Sequence, residues 1–317
     1  MKTIFVENID PTSGPAVNCF QVASADRKTT KRGSAYLSMV LRDRTGEVDA
    51  KLWDAPTDLE IRAGDFVKVQ FEPGTYNDRL QLKILRIRVL DRAEVAIEDF
   101  IPASKRNRDE MYAELLGIIA GVKAESLREA LTVCVHDQGH LMRDAPAAKK
   151  KHQAFLGGLL EHILSLCGLA DAVAAHYPVL NRDILIAAAV LHDIGKVHEL
   201  VYDDHIDYSR AGSLTGHVIQ GSILWERYSG NLDPATCDHI QHIIASHHGR
   251  KEWGAAQVPM TREAHVFHLL DMIDARVESI GDALARGVNA EGITPYDHAF
   301  ECALWNGGNS AVEEGNQ

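Results

Sequence analysis

The sequence predicts a multi-domain α+β protein, with a small N-terminal β-barrel followed by an all-α domain. Three observations carry this. The chain has 317 residues, more than one small domain needs. Residues 17 to 90 alternate apolar and polar at period two between turn residues, as half-buried strands do. From Phe155 to about Ala285 the spacing is helical almost throughout. The histidines divide the chain in the same way: all 16 lie at or after His136.

Val17 to Ala23 is the first strand. In the second, Ala35 to Arg42, one face carries Ala35, Leu37, Met39 and Leu41, and the other Tyr36, Ser38, Val40 and Arg42. After the turn Asp43-Arg44-Thr45-Gly46, the third strand sends Val48, Ala50 and Leu52 inward and Asp49, Lys51 and Trp53 outward. Asp65 to Phe71 follows a Gly64 turn, and Arg79 to Val89 follows turns at Pro73-Gly74 and Asn77-Asp78. Five short strands in this span fit an OB-like barrel. The outward residues Tyr36, Arg42, Lys51 and Trp53 combine aromatics with cations. Bases stack on rings while cations hold phosphates, so they are candidates for binding single-stranded nucleic acid. The alternative is that they are only the solvated side of the sheet. The stretch from Gly33-Ser-Ala-Tyr36 through Lys51-Leu-Trp53-Asp54 resembles the strand-turn-strand core of anticodon-binding-type OB domains.

These patterns divide the chain into residues 1–95 (barrel), 96–150 (linker and helical lead-in), 151–300 (helical domain) and 301–317 (tail). The lead-in holds helical spacing over Met111 to Ala120 and Ser126 to Val135, and a basic loop in which Lys149 and Lys150 are candidate phosphate contacts. Three lysines in a row also suit a merely solvated loop. A Gly/Asn/Glu-rich tail from Trp305 to Gln317 is expected to be loose. Net charge is −12 overall, but +1 over residues 1–95 and −13 over the rest. That excludes nucleic-acid binding by bulk charge and leaves a local site open. The five cysteines are widely spaced without a CxxC pair, which fits a reduced cytoplasmic protein. No apolar run approaches a bilayer's thickness, the longest clear one being Ile184 to Leu191, so no membrane association is expected.

The chemistry lies in the helical part, in Leu191-His192-Asp193-Ile194-Gly195-Lys196. Adjacent His and Asp side chains cannot share one line of a helix, but both can reach one cation at a helix end. Three further segments carry histidine: Gly157-Gly-Leu-Leu-Glu-His162, Leu214-Thr-Gly-His217 and Ser246-His247-His248-Gly249. An acidic pair follows in Leu270-Asp271-Met-Ile-Asp274. The steps His162 to His192, His217, His247 and Asp271 are 30, 25, 30 and 24 residues. Each is about one helix plus a loop, so successive helices of a bundle can each give one ligand to a shared centre. Imidazole with carboxylate suits Mn²⁺, Fe²⁺, Co²⁺, Ni²⁺ or Zn²⁺ rather than Ca²⁺. The pairs His239/His242 and His265/His268 lack such flanking patterns and read as surface or packing residues.

This constellation resembles the HD superfamily of metal-dependent phosphohydrolases, in the order His162, His192-Asp193, Asp271. His217 and His247 match the extra histidines of two-metal members. Pro146 to His162, His192-Asp-Ile-Gly-Lys196 and Gly212-Ser-Leu-Thr-Gly-His217 are similar to the YhaM-type 3′→5′ exoribonucleases, which join an OB domain to an HD domain. The chain departs at Gln153, where a second histidine is expected after His152. The resemblance implies a 3′→5′ exoribonuclease acting on single-stranded RNA, with DNA as a further candidate substrate, and releasing nucleoside 5′-monophosphates. It also implies two divalent ions, foremost Mn²⁺. Asp193 would bridge them, with His162, His192 and Asp271 on one and His217 and His247 on the other, His248 acting instead of or beside His247. A water activated between the ions would attack the terminal phosphodiester in line, and Lys196 would hold a phosphate oxygen or serve only as a helix-end charge. Two competing readings are an HD-type hydrolase of nucleotides or cyclic dinucleotides, and a non-catalytic nucleic-acid-binding protein with a structural metal.

Overall fold

The computed structural model describes residues 2, 4–30, 33–77, 79–149, 153–203 and 205–307. Two compact units emerge, Met1–Ala103 with Val201–Ile206, and Ser104–Leu200 with Asp207–Gln317.

The first unit is a five-stranded barrel of β1 (Ala16–Thr29), β2 (Ala35–Asp43), β3 (Gly46–Trp53), β4 (Phe66–Tyr76) and β5 (Arg79–Val89). The strands run β1-β2-β3-β5-β4 around a closed sheet, with β3 and β5 parallel and the other pairs antiparallel. The ring of pairings closes the sheet on itself, which covers most of the strand edges. The inward alternation is as the sequence predicts: Leu37, Met39, Leu41, Val48, Ala50 and Leu52 are buried around Phe20, Val69 and Leu82.

Two strands run longer than the side-chain pattern indicates. Beyond Ala23 the residues of β1 are polar and exposed except for Ala25, which packs half-buried against the core, so the run of alternating large apolar residues ends there. The backbone nevertheless continues to pair with β2 from Ser24 to Thr29, after a register shift between Val22 and Ser24. Pro73-Gly74 is not a turn but part of β4, paired with Leu82 and Gln81. Pairing of β4 with β1 ends at Phe71. Pro73 therefore sits where a missing N–H leaves no ladder bond unmade. The turn falls at Asn77, whose φ is +50°.

The second unit is helical: α1 (Arg108–Ala120), α2 (Glu125–Met142), α3 (Gly158–His176), α4 (Arg182–Leu191), α5 (Lys196–Glu199), α6 (Arg210–Glu226), α7 (Pro234–Ser246) and α8 (Arg262–Ala285). A small hairpin, β6 (Leu200–Val201) and β7 (Asp207–Tyr208), interrupts the helices between α5 and α6. Helix starts follow local chemistry. Asn107, Asn181, Ser209, Asp233 and Thr261 each accept a hydrogen bond from a first-turn backbone N–H. Pro234 opens α7, where its missing N–H is not needed.

Every residue of α4 from Asp183 to Leu191 is buried. This explains why Ile184 to Leu191 reads as an unbroken apolar run: a helix covered on all sides needs no polar face. α3, with a mean hydropathy of 1.4 over 18 residues, is long and apolar enough by composition to cross a bilayer. Reading uninterrupted runs misses it because Glu161, His162 and Ser165 break the run. Half of that window is buried inside the protein, and His162 is part of that buried side. After α8 the chain turns back on itself, with Thr294 N–H donating to the Leu304 carbonyl at 2.8 Å. Of the tail expected to be loose, Trp305 pairs with Ile293 in an isolated bridge, and residues 308–317 lie outside the described residues.

Candidate metal centre

The ligand candidates sit at helix ends and on one inward helix face. His192 caps the C-terminus of α4 and Asp193 is the first residue beyond it, so both side chains converge on one point. His247 caps α7 in the same way. A helix end leaves its last carbonyls without intrahelical donors, and each imidazole uses them. His192 Nδ1 lies 3.2 Å from both the Ala188 and Ala189 carbonyls, and His247 Nδ1 donates to the Ile244 carbonyl at 2.8 Å. With Nδ1–H engaged, Nε2 is left as the lone-pair donor.

The other two histidines are oriented by carboxylates. His162 Nδ1 donates to Asp274 Oδ2 at 2.7 Å, and Asp274 Oδ1 also accepts from Ser165 Oγ. Glu199 Oε1 accepts both the His217 backbone N–H at 2.9 Å and His217 Nδ1–H at 3.1 Å. Glu199 is absent from the candidates drawn from the sequence, and Asp274 figures there only as the second acid of the pair with Asp271. Asp274 had a signal, since it lies one turn from Asp271 on α8. Glu199 had none, being an ordinary acid at the end of a four-residue helix.

Two glycines let the elements close. A Cβ at Gly195 would lie 2.1 Å from the His217 carbonyl oxygen and 2.6 Å from Gly221 N. Only glycine allows α5 to meet α6 so closely, which sets His217 opposite Asp193. Gly216 has φ +69° inside α6, kinking the helix immediately before His217.

The resulting cage is tight and buried. His162 Nε2 lies 3.2 Å from His192 Nε2 and 3.3 Å from Asp271 Oδ1. Asp193 Oδ2 is 3.3 Å from His192 Nε2, whereas Oδ1 is 3.3 Å from His217 Nε2 and 3.7 Å from His247 Nε2. The ligand atoms of His162, His192 and Asp193 lie within 4.8 Å of one another, as do those of His217, His247 and His248. All seven ligand candidates thus come together, with Asp193 Oδ2 toward His162 and His192 and Oδ1 toward His217 and His247. Lys196 reaches Asp193 Oδ2 at 2.5 Å and is mostly buried, so here it acts as the counter-charge of that carboxylate.

The donor set fits divalent cations. Asp193 Oδ1, His217 Nε2, His247 Nε2 and His248 Nδ1 are buried and make no hydrogen bond. One such orphan costs about 1–3 kcal/mol, and Asp193 Oδ1 with the two Nε2 atoms 3.3 and 3.7 Å from it are lone-pair donors that a cation would satisfy. The charge states agree. Burial, with His192 and His248 adding, pushes His247 well below the usual imidazole range, and burial lowers His248 too. Both are therefore neutral donors. Against burial, Lys196 and His192 hold Asp193 well below the carboxylate range. Against burial, the Asp271 and Asp274 carboxylates lift His162 to about 9. The negative charge around it is the surplus that a cation would neutralise.

A cleft of about 570 Å³ opens beside the cage, lined in part by Lys149, Lys196, His217 and His248. Lys149 pairs with Asp207, and Lys150 lies outside the described residues. In the barrel, Tyr36 and Trp53 are paired across β2 and β3 with ring centroids 4.9 Å apart. Lys51 Nζ lies 5.9 Å from the Trp53 ring and 4.8 Å from the Tyr76 ring. Tyr76, 58% exposed, is a member of this patch that the sequence did not single out. Arg42 is not brought to it. Six residues from Tyr36 along β2, or roughly 20 Å, it donates to Gln21 Oε1 at 2.7 Å. Of the pairs read as surface or packing residues, His239 meets Thr261 Oγ1 at 2.8 Å, His242 Nε2 accepts from Met260 N–H and His265 is exposed, whereas His268 supports the His247 carbonyl and so stands behind a ligand candidate.

Residues 159–276 match the HD domain family. The chain is 34% identical to the 3′-5′ exoribonuclease YhaM of Bacillus subtilis, over 84% of this chain and 86% of that protein. It is 34% identical to the protein of the same name from Listeria innocua, over 87% and 90%. Among solved structures, the second OB-fold domain of replication protein A from Methanococcus maripaludis aligns at 21% identity. That alignment spans 27% of this chain and 92% of that domain, with a TM-score of 0.24.

Proposed function

The chain belongs to the YhaM family of 3′-5′ exoribonucleases, and from that premise we propose that it shortens single-stranded RNA from the 3′ end to nucleoside 5′-monophosphates. The supporting observation is the Asp193 carboxylate, which presents Oδ2 to His162 and His192 and Oδ1 to His217 and His247.

Two divalent ions, foremost Mn²⁺, suit these mixed imidazole and carboxylate donors. His162, His192 and Asp271 would hold one, His217, His247 and His248 the other, with Asp193 shared. Once bound, such ions supply Lewis-acid charge stabilisation and a water of lowered pKa. The protein's own residues do the rest. Asp274 and Glu199 hold the His162 and His217 rings in the ligating orientation. Lys196, on the cleft wall, balances Asp193 and is placed to meet a phosphate oxygen when the carboxylate turns to a cation. The Tyr36–Trp53–Lys51–Tyr76 patch offers stacking faces beside a cation, a second hold on a single strand.

The test is digestion of matched 5′-labelled RNA and DNA oligomers with Mn²⁺. Stepwise shortening from the 3′ end, mononucleotide products and a preference for RNA are expected. Asp193→Asn should bind the oligomer without cleaving it. Internal cleavage, or equal digestion by Asp193→Asn, would overturn the assignment.

A further inference from the structure

Two hollows flank the cage in the helical unit, one of about 570 Å³ and one of about 260 Å³. His248 and Trp253 line both. Trp253 therefore stands in the wall between them, with 52% of its surface open. An indole left this exposed beside a buried polar cage forgoes the burial that usually stabilises a large aromatic, and packing of the unit does not require it.

Its position is nevertheless fixed. The Arg250 guanidinium carbon lies 4.8 Å from the indole centroid, and the His268 ring lies 6.1 Å away at 39°. His268 Nδ1 donates to the His247 carbonyl at 2.8 Å. Arg250 N–H donates to the His248 carbonyl at 2.9 Å, and Trp253 and Ala255 N–H donate to the Arg250 carbonyl at 3.0 and 3.1 Å. The indole is thus tied to the backbone of two ligand candidates through a short hydrogen-bonded loop. A flat, exposed, rigidly placed π-face next to a phosphodiester-cleaving centre has one evident use. Every base can lie on it, whatever its sequence. The larger hollow adds Tyr208, 48% exposed, with Lys149 Nζ 5.5 Å from its ring.

We propose that Trp253 is the platform on which the base of the 3′-terminal nucleotide stacks, setting the adjoining phosphodiester at the cage. This rests on the exoribonuclease reading of the same site. It makes Trp253 a positioning residue that gives a sequence-tolerant grip on the strand end.

The experiment compares parent, Trp253→Ala and Trp253→Phe on two 5′-labelled oligoribonucleotides, one ending in adenosine and one in an abasic ribose. The parent is expected to favour the base-bearing end in KM by about 5- to 150-fold, the effect of one base–aromatic stack. Trp253→Ala should lose that preference and Trp253→Phe should keep most of it. An undiminished preference in Trp253→Ala overturns the proposal. In parallel, AMP is titrated against tryptophan fluorescence of parent and Trp253→Phe, the three other tryptophans setting the baseline. A quench that falls in Trp253→Phe supports the stack, and an equal quench overturns it. If the parent shortens neither oligomer, the exoribonuclease reading fails by itself, and the AMP quench still decides the platform.

Discussion

Replacing Gly195 by alanine tests the closeness of α5 and α6. The added Cβ would stand 2.1 Å from the His217 carbonyl oxygen, where ordinary contact begins at 3.4 Å. Relief needs a movement of about 1.3 Å by that arithmetic. Both obstructing atoms, His217 O and Gly221 N, are backbone, so no rotamer change can supply it. Overpacking of this kind costs about 1–3 kcal/mol. For a unit of this size that lowers Tm by about 2–12 °C. The larger consequence is at the site. His217 Nε2 now lies 3.3 Å from Asp193 Oδ1, and a productive ligand set tolerates displacement of about 0.5 Å. A displacement near 1 Å costs about 10²-fold in rate. Gly221→Ala is the internal comparison, because its Cβ would meet nothing closer than Gly195 N at 3.3 Å, and a loss under about tenfold is expected. The assays are thermal melting and Mn²⁺-dependent RNA digestion on all three proteins. If Gly195→Ala melts and digests as the parent does, α5 and α6 do not depend on that contact and the account of His217 placement is wrong.

Asp274→Ala should weaken metal affinity by about 10–100-fold while leaving the unit folded, because it removes the acceptor of His162 Nδ1–H; calorimetric Mn²⁺ titration reads this, and parental affinity would contradict it. Gly168, exposed on α3 with nothing within 4 Å of a Cβ, should give a protein more stable by about 0.5–1 kcal/mol when replaced by alanine, seen as a raised denaturant midpoint. Burial pushes the Cys134 and Cys167 thiols up to about 12, so near pH 8 they are protonated and unreactive. Under native conditions Cys302, which is exposed, should react first with a thiol reagent, and Cys134 and Cys167 only after denaturation.

The sequence by itself marked out the seven ligand candidates and where the barrel lies. Period-two alternation reports burial directly, because a strand turns every second residue to the core, and β2 and β3 follow it residue by residue. The His-Asp pair was legible through its order and spacing among the other histidine segments, and it falls at a helix end, where His192 is the C-cap. Strand extent was less legible. Residues 24–29 and 72–76 are held by backbone pairing, which leaves no mark on side-chain type. What only tertiary structure decided are the relations between distant elements. Glu199 stands 18 residues from His217 and Asp274 stands 112 from His162, yet each holds its ring. Arg42 shares a face with Tyr36 by periodicity and is separated from it by the length of the strand. Local spacing encodes which way a side chain points along its own element. Which groups meet across elements depends on how closely backbones approach, and here a missing Cβ at Gly195 sets that distance.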